Sequence, residues 1–292
     1  MPVILVTGAT GTIGGALAGR LAEAGVPFRA LVRRADAVVP GAELVVGDLD
    51  APETLPAAFE GVDQVFLNTA GPYPSEEPVI AQQFAAIDAA VAAGVGHVVK
   101  VSTVGARAGL PMPMGTHARI EAHLAESGLE ATVLRPNSVM QNLVRGITTF
   151  TAAGELFEPF GGPVAYVDAR DVADCAFAVL TGSAPRGGVH DVTGPRSLTP
   201  DQVVFVLSAV LGRPVGLVRP GLDGLEEVLV ARGMPQAYAE HFVELARLVS
   251  DGALSGATGT VAALTGHPPR TIEAFINEHR DRVNAALDAA KG

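Results

Sequence analysis

Residues 7–14 read Thr-Gly-Ala-Thr-Gly-Thr-Ile-Gly, directly after the apolar run Val3-Ile4-Leu5-Val6 and just ahead of a helical pattern running from Ala16 to Ala24. A strand, a glycine-rich turn and a helix in immediate succession leave the backbone little choice. Gly8 permits the tight turn, Gly11 lets the main chain approach a pyrophosphate, and Gly14 lets the helix lie close to the strand. Thr10, Thr12 and Ile13 fill the positions between, where the first helical N–H groups face an anion. A glycine triplet alone also occurs in turns that only connect. The strand before it and the helix after it make this one a phosphate cradle.

Apolar strands and helical stretches alternate through the first half of the chain. Val3–Thr7, Phe28–Val32, Leu44–Val46, Gln64–Asn68, Val98–Ser102 and Ala131–Leu134 read as buried strands,. Continuous apolar strands separated by crossovers imply a parallel sheet with helices on both faces, an α/β doubly wound Rossmann-type fold. Ligands of such a sheet bind beyond the C-terminal strand ends. After about residue 150 the rhythm changes. Thr199-Pro200-Asp201 starts a helix, with threonine as N-cap and proline in the first turn, and 222–232, 235–250 and 271–287 look helical. The expected division is 1–150 as the nucleotide-binding domain, with 164–182 returning to it, and 183–292 as a smaller, mainly helical lobe.

Composition narrows the class. With 292 residues and 48% hydrophobic content the chain can bury a large core,. No apolar stretch reaches the roughly 18 residues of a membrane span, and the N-terminus goes straight into a strand rather than a signal peptide. A cytoplasmic location and no membrane partner are expected. A net charge of −11 opposes nucleic acid as a partner, because phosphate affinity comes mostly from Lys and Arg. The single cysteine, Cys175, excludes an internal disulfide and reads as a buried small hydrophobe. No His/Cys/Asp cluster has metal-ligand spacing, so no metal is expected.

The second strand ends in Arg33-Arg34, where enzymes specific for NAD place an acidic residue for the ribose 2′-hydroxyl. Two guanidinium groups there suit a 2′-phosphate instead, so the cofactor is read as NADP(H); Asp36 is the one nearby candidate for the acidic role.

Thr-Gly-x-x-Gly-x-x-Gly is the spacing of short-chain dehydrogenases/reductases. Gly94–Ser102, Ser127–Asn137 with Met140-Gln141-Asn142, Asp168–Ala173 and Leu264–Thr271 further resemble the NmrA-like atypical members, so the likeness covers nearly the whole chain. The resemblance implies that Asp48 and Leu49 clamp the adenine, although Asp48 also suits a turn cap before Ala51-Pro52. It implies that Asn68-Thr69-Ala70 lies along the cofactor ribose, and that Asn137, after the sixth strand, belongs to the same cofactor-binding set. Ser102 falls where the family's serine sits, with Thr103 as an equal candidate.

Short-chain reductases carry a Tyr with a Lys four residues later. Four residues beyond Tyr73, Tyr166 and Tyr238 stand Glu77, Arg170 and Phe242, so the dyad is absent. His117 and Glu121 occupy its positions by spacing, on one face of a helix. One reading makes His117 a proton donor whose pKa is raised by Glu121. The other makes the pair structural, leaving water or the substrate to supply the proton. Reduction of a simple ketone develops an alkoxide whose conjugate acid resembles water, about 15.7, whereas a quinone yields a phenolate near ~10. The difference lowers the demand for protonation by about 8 kcal/mol. A site without the dyad therefore suits quinones and strongly conjugated carbonyls. The segments Gly109–Gly115 and Glu155–Gly162 read as walls or a lid of the pocket, or as core loops.

The expected function is an NADPH-dependent ketoreductase of a bulky aromatic ketone or quinone; the resemblance, whose atypical members include quinone reductases and tailoring ketoreductases of aromatic polyketides, implies a step such as the latter, on a small aromatic substrate and as a monomer or homodimer. The resemblance also allows a redox-sensing regulator that binds NADP(H) without catalysis. A non-redox isomerase or dehydratase is disfavoured, since transient oxidation needs a base.

Overall fold

A computed structural model describes residues 2–69, 76–144 and 150–289. In chain order its elements are β1 (Ile4–Val6), α1 (Thr12–Glu23), β2 (Phe28–Val32), β3 (Glu43–Val46), α2 (Leu55–Phe59), β4 (Gln64–Leu67), α3 (Glu77–Ala92), β5 (His97–Val101), α4 (Met114–Glu126) and β6 (Ala131–Pro136). There follow β7 (Glu155–Phe157), α5 (Ala169–Leu180), β8 (Val189–Val192), α6 (Pro200–Leu211), β9 (Gly216–Val218), α7 (Leu225–Ala231), α8 (Gln236–Ser250), α9 (Thr260–Thr265), α10 (Ile272–Glu278) and α11 (Arg280–Ala289). They form two compact units.

The first unit comprises residues 1–136, 169–192 and 260–267. Its sheet has the order β3-β2-β1-β4-β5-β6-β8, with every pair parallel. The order reverses between β1 and β4, and ligands of open α/β sheets bind at such a switch point. One face of the sheet packs against α2, α3 and α4 through Val65, Leu67, Val98 and Val133 with Leu55, Ile87, Ile120 and Leu124. On the other, α1 packs with α5 and α5 with α9. Cys175 on α5 is fully buried, and burial pushes its thiol up to about 12, which leaves it inert,.

The six expected strands all form, with ends shifted by at most two residues. Two departures concern the seventh. The pattern at Tyr166–Leu180 contributes α5 but no sheet strand, because residues 166–168 make only an isolated bridge, Val167 with Val139. The sheet strand that follows α5 is β8, at residues expected to lie in the helical lobe. As an edge strand reading Val-His-Asp-Val it buries only its last residue, so it lacks the apolar run that marks its neighbours,.

The second unit comprises residues 137–168, 193–259 and 268–292. It is mainly helical, with β7 and β9 paired in a two-stranded parallel sheet. Phe157, Leu225, Leu229, Ala239, Phe242 and Ala246 form its core. Thr199 caps α6 in a full capping box with Gln202,, and the helical stretch expected over 271–287 breaks at His279 into α10 and α11.

The packing of α1 on the turn after β1 generates a prediction. A Cβ at Gly14 would stand 2.2 Å from the Gly8 carbonyl oxygen, a backbone atom with no flexible end to yield. Gly14→Ala should therefore cost about 1–3 kcal/mol through overpacking, seen as a lower melting temperature. An unchanged melting temperature would mean that the helix can retreat from the turn.

Candidate functional site

The cradle lies at the C-terminal ends of β1 and β4. Gly8 takes φ +63°, and a Cβ there would meet the Asn68 carbonyl oxygen at 2.6 Å. The Gly11 N–H closes the turn onto the Gly8 oxygen at 2.9 Å. Helix α1 then starts at Thr12 with Gly11 as N-cap, no side-chain cap and no acidic residue in its first turn. Such an end is built for an anion. Thr10 and Thr12 are exposed and Ile13 is half-buried, so this turn faces outward. Buried Thr7 ties the two strand ends together: its Oγ1 donates to the Asn68 oxygen at 2.7 Å and accepts from the Asn68 N–H at 2.9 Å. Asn68 and Thr69 are thereby fixed beside the cradle, Thr69 also accepting from Gln83. Ala70 lies outside the described residues.

At the end of β2, Arg33 and Arg34 are both exposed. Arg34 pairs with Asp36 at 3.2 Å, so the one candidate for an acidic ribose ligand is engaged with a guanidinium. Arg33 has no ion pair among the described residues. At the end of β3, Asp48 and Leu49 are half-buried; Asp48 Oδ1 accepts from the Asp50 N–H at 3.1 Å, so one carboxylate oxygen caps the turn. Asn137 is 4% exposed and its amide is engaged inside the second unit, donating to the Leu254 oxygen at 2.9 Å and accepting from the Ser138 N–H at 2.7 Å.

The remaining predicted residues sit where β5 and β6 meet α4, in a different arrangement from the expected pair. Glu121 does not partner His117. Its carboxylate accepts from Ser102 Oγ on one side and from both arms of Arg135 on the other, with Arg135 Nε at 3.0 Å. Thr103 is half-buried beside Ser102. The ring of His117 meets Lys100, whose Nζ lies 3.0 Å from Nδ1 and donates to the Val101 carbonyl at 2.9 Å. The premise that Glu121 raises the His117 pKa is therefore corrected: burial, and then the charge on Lys100, hold the imidazole well below its ordinary value,. His117 is neutral at physiological pH, and an Nδ1 that accepts from the ammonium leaves its proton on Nε2.

Lys100 is fully buried, and burial brings it down to about 7; the Glu121 carboxylate opposes that fall and Arg135 adds to it. Neither Lys100 nor Arg135 was singled out from the sequence. The signal was present in Val98-Val99-Lys100-Val101, where a charge interrupts an apolar strand flanked on both sides by others. A buried lysine of this kind is a functional candidate on physical grounds.

The two apolar segments differ: in the first, Pro111, Met114 and Gly115 are buried while Leu110 and Met112 are half-buried and Gly109 and Pro113 exposed. Met114 is buried against Gly105, and a Cβ at Gly115 would stand 2.0 Å from the Leu110 oxygen. Glu155–Phe157 forms β7 and is followed by buried Glu158, which accepts from the Phe160 N–H at 3.0 Å and from the Tyr166 hydroxyl at 3.2 Å. That segment is core of the second unit. Among the described residues no helix is long and apolar enough to cross a membrane, and no group of His, Cys, Asp and Glu side chains could hold a metal ion.

The chain is 37% identical, over 97% of its length and 100% of the relative's, to an NAD(P)H azoreductase of Xenophilus azovorans. It is 38% identical, over 96% and 98%, to the (4-alkanoyl-5-oxo-2,5-dihydrofuran-3-yl)methyl phosphate reductase of Streptomyces griseus. Among solved structures it resembles the NADPH complex of an Escherichia coli NADPH-dependent quinone oxidoreductase, with a TM-score of 0.80 at 25% identity, covering 95% of this chain and 99% of that one. The model of the NmrA-like family matches residues 2–276, and the chain belongs to that family.

Proposed function

We propose that this protein is an NADPH-dependent reductase whose acceptor is a bulky conjugated molecule, an aromatic ketone or a quinone. The oxidoreductase class rests on relatives at 37–38% identity that are reductases over essentially their whole length. The observation that carries the cofactor is the cradle itself. Its glycines stand where a Cβ would meet backbone, its helix start has no side-chain cap, and Arg33 at the end of β2 has no carboxylate partner among the described residues. These features fit a dinucleotide with a 2′-phosphate: the turn takes the pyrophosphate, Arg33 the 2′-phosphate, Leu49 the adenine face, and Asn68 and Thr69 the ribose. When bound, the cofactor supplies a hydride.

The acceptor follows from what β5 and α4 offer. No Tyr-x-x-x-Lys dyad is present, and His117 is neutral, so no imidazolium waits to protonate a strongly basic alkoxide. Acceptors whose reduced form is a stabilised anion make the smallest demand on such a site. The names of the two relatives, an azo compound in one and an unsaturated oxofuran in the other, describe acceptors with conjugated double bonds. A place among the tailoring reductases of aromatic polyketides, in the cytoplasm and as a monomer or homodimer, belongs to the same proposal.

Purified protein with NADPH should oxidise the cofactor in the presence of members of a panel of quinones, polycyclic aromatic ketones and azo dyes. Tight NADPH binding without turnover on any of them would contradict the reductase reading and favour a regulatory one. Arg33→Ala should raise the Kd for NADPH by about tenfold or more, the loss of one charge-assisted contact, and leave NADH binding nearly unchanged. Equal losses for the two cofactors would overturn the NADP assignment.

A further inference from the structure

The lysine missing from the helix has a counterpart on the strand. In a Tyr-x-x-x-Lys dyad the cation stands one helical turn from the proton donor. Here the position one turn on holds Glu121, which is engaged by Ser102 and Arg135, while a cation reaches the His117 ring from β5, directly beneath it in the sheet. Resting on the reductase reading above, we propose that His117 and Lys100 form a proton relay in which His117 Nε2–H protonates the reduced substrate and Lys100 resupplies the ring at Nδ1.

The geometry carries each part. Lys100 Nζ is 3.0 Å from Nδ1, within reach of direct transfer, and is sealed from solvent by the sheet and α4. A second Nζ proton is anchored on the Val101 carbonyl, which fixes the direction of the ammonium. Nothing among the described residues bonds Nε2. His117 is half-buried where Lys100 is fully so, which makes the histidine the outer member and the lysine the inner one. The charged groups around them are Glu121 on the same helix and Arg135 on β6, bound to each other. Glu76, ahead of α3, is held by Thr116 and Arg119.

The step balances. The N–H bond at Nε2 breaks as the O–H bond on the substrate anion forms, and one N–H bond of Lys100 breaks as Nδ1 gains a proton. The imidazole stays neutral and changes tautomer; Lys100 goes from ammonium to amine, so the single positive charge of the relay cancels the single negative charge on the substrate. A proton taken up from solvent, the one the reduction consumes overall, then returns to Nε2 as Nδ1 hands its proton back to Lys100. The buried lysine, brought down to about 7, gives up a proton far more readily than a solvated one.

The test compares two acceptors of matched size, α-tetralone, which yields an alkoxide, and 1,4-naphthoquinone, which yields a phenolate. With α-tetralone, wild-type kcat should fall as pH rises through about 7, because the relay needs the ammonium. Lys100→Met should lower that kcat by about 10²–10⁴-fold and abolish the alkaline fall, while lowering kcat on naphthoquinone by less than tenfold, with KM for NADPH little altered. Glu121→Gln, which removes the charge that favours the ammonium, should move the wild-type fall to lower pH. Equal losses on both acceptors, or an unchanged pH profile in Lys100→Met, would overturn the relay, since a scaffold defect does not distinguish alkoxide from phenolate.

A readout without substrate separates failure of the relay from failure of the reductase reading. Nitrogen-15 NMR of histidine-labelled protein should show His117 as the neutral Nε2–H tautomer at pH 6, with its pKa climbing toward the ordinary value in Lys100→Met. An Nδ1–H tautomer in the wild type would refute the relay even where turnover is seen. If NADPH binds but neither these two acceptors nor any member of the wider panel turns over, the reductase reading falls.

Discussion

The approach of α1 to the turn after β1 is the constraint on which the first unit rests. It exists because Gly14 presents no side chain where the Gly8 oxygen stands 2.2 Å from an ideal Cβ. That contact sets the helix axis against β1 and aims the uncapped N–H groups of its first turn across the switch point between β1 and β4. Thr7 then binds the end of β4 to the end of β1 through Asn68. The residues that follow β1, β2, β3 and β4 are thus placed along one edge, and the glycine cradle, Arg33, Leu49 and Asn68 become parts of one elongated surface.

Charge is handled differently at its two ends. Arg33 is exposed, so a phosphate bound there would meet a screened surface cation whose value lies in selectivity,. Beside β5 Lys100 is withdrawn from water altogether, and Glu121 and Arg135 in part. Lys100, Glu121 and Arg135 lie within one small volume, and burying any of them unpaired would cost several kcal/mol. Glu121 and Arg135 satisfy each other and hold Ser102. Lys100 is left with a neutral imidazole and a carbonyl, an arrangement that lowers its proton affinity and fixes the tautomer of His117. A carboxylate in place of the imidazole would make a stabler pair with the ammonium and leave Lys100 a poorer proton donor.

Much of this was legible in the sequence because it is local. The strand–turn–helix at 3–24, the arginines ending β2 and the capping of α6 by Thr199 are each decided within a few residues, and the six strands from β1 to β6 announce themselves as apolar runs. Strand β8 was missed because an edge strand with one buried residue has no such run. The site between β5 and α4 was half-read for a related reason. The helical spacing of four correctly put His117 and Glu121 on one helix, but their partners come from elsewhere: Lys100 lies seventeen residues before His117, and Arg135 fourteen after Glu121. A spacing rule sees only neighbours along a helix, whereas in a parallel sheet the strand beneath supplies partners too. The interrupted run Val99-Lys100-Val101 was the one local sign of them.

Hydride transfer from NADPH to carbon of a conjugated carbonyl, without a Tyr/Lys dyad, is the central proposal for this NmrA-like protein. The most direct measurement is the fate of deuterium from both [4-²H]NADPH epimers in single turnovers with an aromatic ketone. Deuterium on the carbinol carbon from one epimer only, with a primary isotope effect on the rate, is the predicted result. A carbinol free of deuterium from either epimer, or a bound cofactor that is never oxidised, would contradict it.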